Sequence, residues 1–252
     1  MKLGRLPADS AALARAPQLA GHMRAMPPPP TLDRSHIAFV PGLDRNDMIS
    51  DCTWVGIANA ARGMALLNGF GVDIPTDRVV AAYSASTGYD PANPASDQGA
   101  VELDVLGYQL AHGFDTGGQV PLIADFATFD PADRATFAST LARVGPVYLG
   151  VDLASADLDT SQTWDTDTPG DQTPGSWGGH ALVAWDYTGL GDTDVVRLAT
   201  WGMLLPCTWR WLQSRAEEAH VLIWRQLMKS TRLNFAGIDY DGLRATNMAW
   251  SA

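Results

Sequence analysis

A polar, turn-forming approach, Asn46 to Asp51, runs straight into an alanine-rich apolar stretch that continues to Leu67 and stops at Asn68-Gly69. A run that is apolar nearly all round reads as a buried helix, and its first residue is Cys52. Whatever fold this chain adopts has to wrap a core around that helix. At a helix N-terminus, unpaired backbone N–H groups and the positive end of the dipole favour a thiolate over a thiol. A cysteine placed there is built to react, or descends from one that was. Free cysteine is also a common core residue, and Cys52 taken alone reads as packing.

Two downstream pieces change that reading. Gly175-Ser176-Trp177-Gly178-Gly179-His180 is a glycine-rich turn opening into the apolar strand Ala181 to Trp185, with His180 at the strand's mouth. His180 follows Cys52 by 128 residues, close to the roughly 130–150 that separate cysteine from histidine in papain-type enzymes. Further on, Leu198-Ala199-Thr200-Trp201-Gly202 precedes Thr208-Trp209-Arg210-Trp211. A helix-mounted Cys-x-Trp, a His-Ala strand and a strand ending Thr-Trp-Gly, in that order, resemble the papain-like cysteine peptidases over roughly residues 46 to 224. The sequence is most similar to a divergent branch found in phages and bacteria. The residues that carry this are Asp51-Cys52-Thr53, Ala82-Tyr83-Ser84-Ala85-Ser86-Thr87-Gly88-Tyr89-Asp90-Pro91 and Gly175 to Ala181.

The resemblance implies an α+β fold, with a helical lobe over about 43–115 and an antiparallel β-sheet or barrel lobe over about 116–228. A cleft would lie between them, with Cys52 on one wall and His180 on the other. His180 would take the proton of Cys52, and Asn46, aligned with the family's oxyanion-hole glutamine, would hold the oxyanion with the Cys52 N–H. Trp54, Trp177, Gly178, Gly179 and Trp201 would line the cleft, Trp201 matching the family tryptophan that covers the histidine. There are departures. Thr53 separates Cys52 from Trp54, and Ala199 stands where the orienting asparagine should be. That role is then vacant, or falls to Thr200 or another residue out of register. Asp51 sets a carboxylate beside the sulfur, which opposes its ionisation.

The formal net charge of −11 argues against nucleic acid or an anionic membrane as partner, since phosphate binding needs clustered Lys and Arg. No apolar run reaches the roughly 18–20 residues of a membrane span. Two cysteines make no disulfide framework, and Cys207, in a Trp-rich apolar segment, reads as packing. Met1 to Ala20 lacks an uninterrupted apolar stretch and does not read as a signal peptide, so the expected location is the cytoplasm or a virion. No cofactor is implied. The polar stretch from Ala154 to Gly175 holds Asp157, Asp159, Asp165, Asp167 and Asp171 without a lysine or arginine. It lacks the glycine and glutamate of an EF-hand loop, and is read as a solvated acidic loop rather than a metal site. His22, His36, His112 and His220 have no zinc-ligand spacing and read as structural or exposed.

Residues 1–35, with Pro27-Pro28-Pro29-Pro30, are expected to form an extended arm outside the core. A disordered tail, a docking arm on a larger assembly and a propeptide all fit it. The domain proper is 36–228. Helices are predicted from Cys52 to Leu67, after Pro75-Thr76 to Thr87, from Ala100 to Ala111, from Asp130-Pro131 to about Arg143, and from Thr208 to about Glu217. Strands are predicted at Pro146 to Val151, Gly179 to Tyr187, Asp194 to Thr200 and His220 to Trp224. The tail, 229–252, shows no periodicity. Two functions fit this pattern. One is a thiol hydrolase of peptide or amide bonds, cell-wall peptide included. The other is a degraded structural protein of a virion, attached to capsid or tail through the arm and the tail.

Overall fold

The computed structural model describes residues 1–227 and 237–250. In chain order come β1 (Arg5–Leu6), α1 (Ser10–Arg15), α2 (Cys52–Leu67), α3 (Thr76–Thr87), β2 (Ala100–Val101), α4 (Glu102–His112), β3 (Ala124–Phe129) and α5 (Arg134–Arg143). Then follow β4 (Val147–Leu153), β5 (Gly178–Tyr187), β6 (Val195–Thr200), β7 (Met203–Thr208), α6 (Trp209–Arg215), β8 (Ala216–Trp224) and a last helix, α7 (Tyr240–Trp250).

α2 lies flat against the sheet because two of its positions carry no side chain. A Cβ on Gly56 would sit 2.5 Å from Tyr148 Cε2, and one on Gly63 2.9 Å from Trp185 and Pro146. Larger residues at either position would lift the helix off β4 and β5. α3 begins behind Pro75 and ends at Gly88, which takes the left-handed conformation at φ 78°.

Six antiparallel strands form one sheet in the order β3-β8-β4-β5-β6-β7. Alternation along β5 assigns its two faces: Ala181, Val183 and Trp185 pack with α2, α3 and α4, while Leu182 and Ala184 pack with α5 and α6. The sheet is therefore covered on both sides, and its strands read as continuous apolar runs. The expected α+β architecture holds, with one correction. Among the described residues the sheet stays open at β3 and β7 and closes into no barrel.

The first 35 residues do not extend away from the core. Ala16 and Leu19 are buried, one in each hydrophobic cluster. Arg34 is buried and donates to the carbonyls of Trp185 and Leu141. The proline run is pinned where Tyr187 Oη donates to the Pro29 carbonyl at 2.7 Å. Part of the tail is also placed. Asn247 of α7 bonds the N–H and carbonyl of Phe126 at 3.1 and 2.9 Å, extending the cover of β3; residues 228–236 and 251–252 lie outside the described residues. The acidic stretch is tied down rather than solvated throughout. Asp157 is buried and accepts from Arg215, Trp211 and the Ala154 N–H, and Asp165 accepts from Arg210.

Candidate active site

The approach to Cys52 is shaped by side chains of the helix it opens. Asn59 of α2 bonds both backbone groups of Gly42, and Arg62 holds Asp44, where Asp44 and Arg45 turn the chain at positive φ. The chain then reaches Asn46, Asp51 and Cys52, all buried. Burial pushes the Cys52 thiol up to about 12, with Asp51 and Glu102 acting in the same direction and backbone N–H groups of Ala181 and Gly4 opposing. Burial likewise pushes the Asp51 carboxyl up to about 8, opposed by the nearby Asn46 side chain and its own backbone N–H, and neither of its oxygens makes a hydrogen bond of normal geometry.

His180 sits on β5 beside Ala181, fully buried. Its Nε2 lies 2.7 Å from Thr200 Oγ1, and its ring stacks on Trp201 at 4.2 Å and 14°. Ala199, paired with Val183, packs toward α2, so the next residue along β6 faces the imidazole instead. Trp201 and Gly202 make a two-residue turn between β6 and β7, both at positive φ (43° and 76°). That strained placement of a non-glycine residue lays the indole over the histidine. Burial lowers the imidazole to about 3, and Nδ1 has no partner. Burial thus favours the neutral form of each group, the thiol and the imidazole.

What seals them is the start of the chain. Lys2 N–H donates to the Asn46 carbonyl at 3.0 Å, and Trp201 Nε1 to the Lys2 carbonyl at 3.4 Å. Leu3 lies over Gly178. Gly4 N–H donates to the Gly179 carbonyl at 3.3 Å, the Gly4 carbonyl accepts from Ala100 N–H at 2.8 Å, and β1 pairs with β2 in parallel. This is an extended peptide lying in the groove between the two lobes. Glycines make the fit possible: a Cβ on Gly4 would lie 2.1 Å from the Ser50 carbonyl oxygen, one on Gly99 2.2 Å from the Gly4 oxygen, and one on Gly179 2.4 Å from the Arg5 oxygen.

The residues expected at the site divide accordingly. Cys52, His180, Thr200, Trp201, Gly178 and Gly179 surround the groove, and Trp177 stands beside Trp201 with 5.7 Å between rings. Trp54 does not line it. The indole is sealed in the helical core against Phe114, with Nε1 donating to Ser86 Oγ at 2.8 Å. Asn46 is at the groove, but its amide is turned to the Ile49 carbonyl at 3.3 Å rather than toward the sulfur.

A second constellation went unread in the sequence. Arg5 is buried with Glu102, Glu218 and His220, beside the partly open Asp152. Its guanidinium bonds Asp152 at 2.8 Å and also Glu218, while His220 Nε2 lies 3.5 and 3.6 Å from Glu102 and Glu218, too long for hydrogen bonds. Burial opposes every charge here. Even so, Glu102 and Glu218 hold Arg5 and His220 above their usual values, and His220 and Arg5 hold Glu218 down to about 2. Glu102, wholly enclosed, is raised. Glu102, Glu218 and His220 are also the one group among the described residues with metal-ligand proximity. The signal available in the sequence was polarity in apolar company: Glu218 and His220 alternate on one face of a strand that is apolar from Val221 onward.

A cysteine opening a buried helix, a histidine at the mouth of a strand across a groove, and helices preceding an antiparallel sheet together define a papain-like cysteine-peptidase fold. Solved structures agree. Xylellain, a cysteine protease from Xylella fastidiosa, aligns with a TM-score of 0.57 at 14% identity, over 87% of this chain and 95% of that one. Procathepsin B from Trypanosoma congolense gives 0.57 at 10% identity over 88% and 86%. The cysteine protease and lectin-like domains of Cwp84 from Clostridium difficile give 0.53 at 10% over 80% and 54%. No family model and no curated protein sequence matches the chain. At these identities the likeness is one of fold.

Proposed function

We propose that the chain is a papain-fold cysteine peptidase whose groove is covered by its own first six residues. One observation carries this reading: an extended peptide already lies between the Cys52 wall and the His180 wall, bonded through its backbone to Gly179 and Ala100. A groove that holds Met1–Leu6 by main-chain groups is shaped for a peptide, whether from a protein or a cell-wall crosslink. The similar structure from Trypanosoma congolense is itself a procathepsin. With the segment withdrawn, water reaches both groups and the burial that keeps them neutral falls away. His180 then takes the Cys52 proton on Nδ1, with Nε2 steadied by Thr200, and the thiolate attacks the carbonyl carbon. Collapse of the tetrahedral adduct expels the amine, which takes that proton, and water releases the acid.

The test is alkylation of Cys52 in a Cys207→Ser background, with Gly4→Val used to unseat the segment. In the parent, Cys52 should scarcely react at pH 7. In the Gly4→Val form it should react with an apparent pKa below the ordinary ~8.5, and His180→Ala should abolish that depression. A freed Cys52 that titrates like an ordinary thiol and ignores His180 overturns the peptidase reading.

The same result would favour the second reading, a structural protein of a phage or bacterial particle that keeps the fold as a building block. Two observations support that alternative: the asparagine position is occupied by Ala199, and the thiol and imidazole are both neutral and enclosed. The particle setting itself rests on the Asp51-Cys52-Thr53 and Gly175–Ala181 motifs, and co-sedimentation of the protein with such particles tests it.

A further inference from the structure

We infer that Glu102, Glu218 and His220 form a buried site for one zinc ion, which staples the helical lobe to the sheet. The inference is independent of what the groove cuts.

The three side chains meet from separate elements. Glu102 is the first residue of α4, while Glu218 and His220 project from one face of β8. Gly150 of β4 leaves room beside them: a Cβ there would lie 2.9 Å from Glu102 Oε2. All three residues are buried, and their candidate ligand atoms lie within 4.8 Å of one another. Both oxygens of Glu102, Oε2 of Glu218 and Nε2 of His220 lack a hydrogen bond. Buried polar atoms are almost always paired, so a group of orphans facing one another calls for a common partner.

The distances select that partner. His220 Nε2 lies 3.5 Å from Glu102 Oε2 and 3.6 Å from Glu218 Oε2. Charge-assisted hydrogen bonds would draw such pairs to about 2.7–2.9 Å. Ligand atoms that share one tetrahedral zinc at about 2.0–2.2 Å instead lie about 3.3–3.6 Å apart. The other nitrogen of the ring, Nδ1, is 2.9 Å from Thr128 Oγ1. Donation of Nδ1–H to that hydroxyl leaves the lone pair on Nε2, the tautomer a metal ligand requires.

Charge agrees with distance. Arg5 pairs with Asp152 and Glu218, so three carboxylates stand against one guanidinium and two negative charges remain. One divalent ion balances both, whereas a proton on the imidazole balances one. An imidazole with two carboxylates suits zinc better than calcium or magnesium, which take oxygen ligands. Glu218 serves both cations, Oε1 toward Arg5 and Oε2 toward the metal. Asp152, partly open to solvent, marks the way in.

Zinc content and melting temperature of the full chain test the site, in a Cys52→Ser/Cys207→Ser background so that no thiol takes up the metal. After stripping with a chelator and incubation with zinc chloride, the protein should retain one zinc per chain through dialysis and melt above the stripped form. Glu102→Gln and His220→Gln should retain none. Thr128→Val keeps all three ligands and removes only the bond that orients the ring, so it should weaken zinc binding about 10- to 100-fold. That variant decides the matter should the ligand substitutions prevent folding. Three results would overturn the site: a folded parent that retains no zinc, equal retention by the parent, Glu102→Gln and Thr128→Val, or nitrogen NMR of the zinc-treated protein showing His220 protonated on both ring nitrogens.

Discussion

His180 is steadied by a hydroxyl, and a hydroxyl is a weaker guide than an amide because its proton rotates. Donation of Nε2–H to Thr200 Oγ1 puts the imidazole lone pair on Nδ1, the atom left without a partner. In the Gly4→Val background, Thr200→Val should therefore slow Cys52 alkylation at pH 7 toward the His180→Ala rate, whereas Thr200→Ser should hold it near the starting value. A Thr200→Val protein that reacts as fast as its parent would remove Thr200 from this role. Asp51 carries a separate prediction with a definite sign. Its folded pKa is raised to about 8 from an ordinary carboxyl value by burial. Between those pH values the folded state holds a proton that the unfolded state has lost, so stability should fall as pH rises through that window and level off above it. Asp51→Asn should flatten the slope and gain on the order of 1–3 kcal/mol at pH 8. Urea midpoints from pH 4 to 9 measure both effects, and an unchanged slope in Asp51→Asn would refute the assignment.

α2 joins the site to the sheet, and its glycines set the distance. Gly56→Ala places a methyl 2.5 Å from the Tyr148 ring, whose hydroxyl donates to the Thr53 carbonyl at 3.1 Å. The expected cost is about 1–3 kcal/mol from overpacking, read from the urea midpoint; a neutral or stabilising effect would mean that the helix has room to move. Elements of this kind were legible in the sequence because their signals are local. The helices Cys52–Leu67 and Thr76–Thr87 begin and end on residues that mark their own termini, and β5 announces itself by an apolar run behind glycines. Two strands of the six-stranded sheet were not legible. β3 is buried at every position, with Asp125 among its apolar residues, and so shows no alternation; Arg225 and Tyr240 pair that carboxylate from distant segments. β7 contains Pro206, which an edge strand tolerates but which reads locally as a break. Cys52, His180 and Thr200 could be picked out by motif. Arg5, Glu102 and Glu218 could not, because their meeting depends on the chain returning through the groove, and no short-range pattern encodes that return.

At the scale of the molecule, the two lobes share one sheet. Val183 and Trp185 belong to one core, Leu182 and Ala184 to the other, and both sets alternate along the same strand. Residues 1–35 add a second tie, with Ala16 in one cluster, Leu19 in the other, and Arg34 linking the carbonyls of Trp185 and Leu141. A helical lobe that unfolded by itself would expose the face carrying Ala181, Val183 and Trp185 while the opposite face stayed packed, losing burial without gaining the full chain entropy of unfolding. The expected behaviour is therefore one cooperative transition. Tryptophan fluorescence reports both cores at once, since Trp54, Trp185 and Trp224 lie in one and Trp164, Trp209 and Trp211 in the other, while far-UV circular dichroism reports helix loss. In urea the two signals should coincide, as a two-state domain requires. They should still coincide in Gly4→Val, at a lower midpoint, because the groove segment is only one of several ties between the cores. Separated midpoints in the parent would show that the lobes fold independently and that the shared sheet does not couple them. Separation confined to Gly4→Val would locate the coupling in the first six residues, which would then hold the two lobes together as well as cover the cysteine.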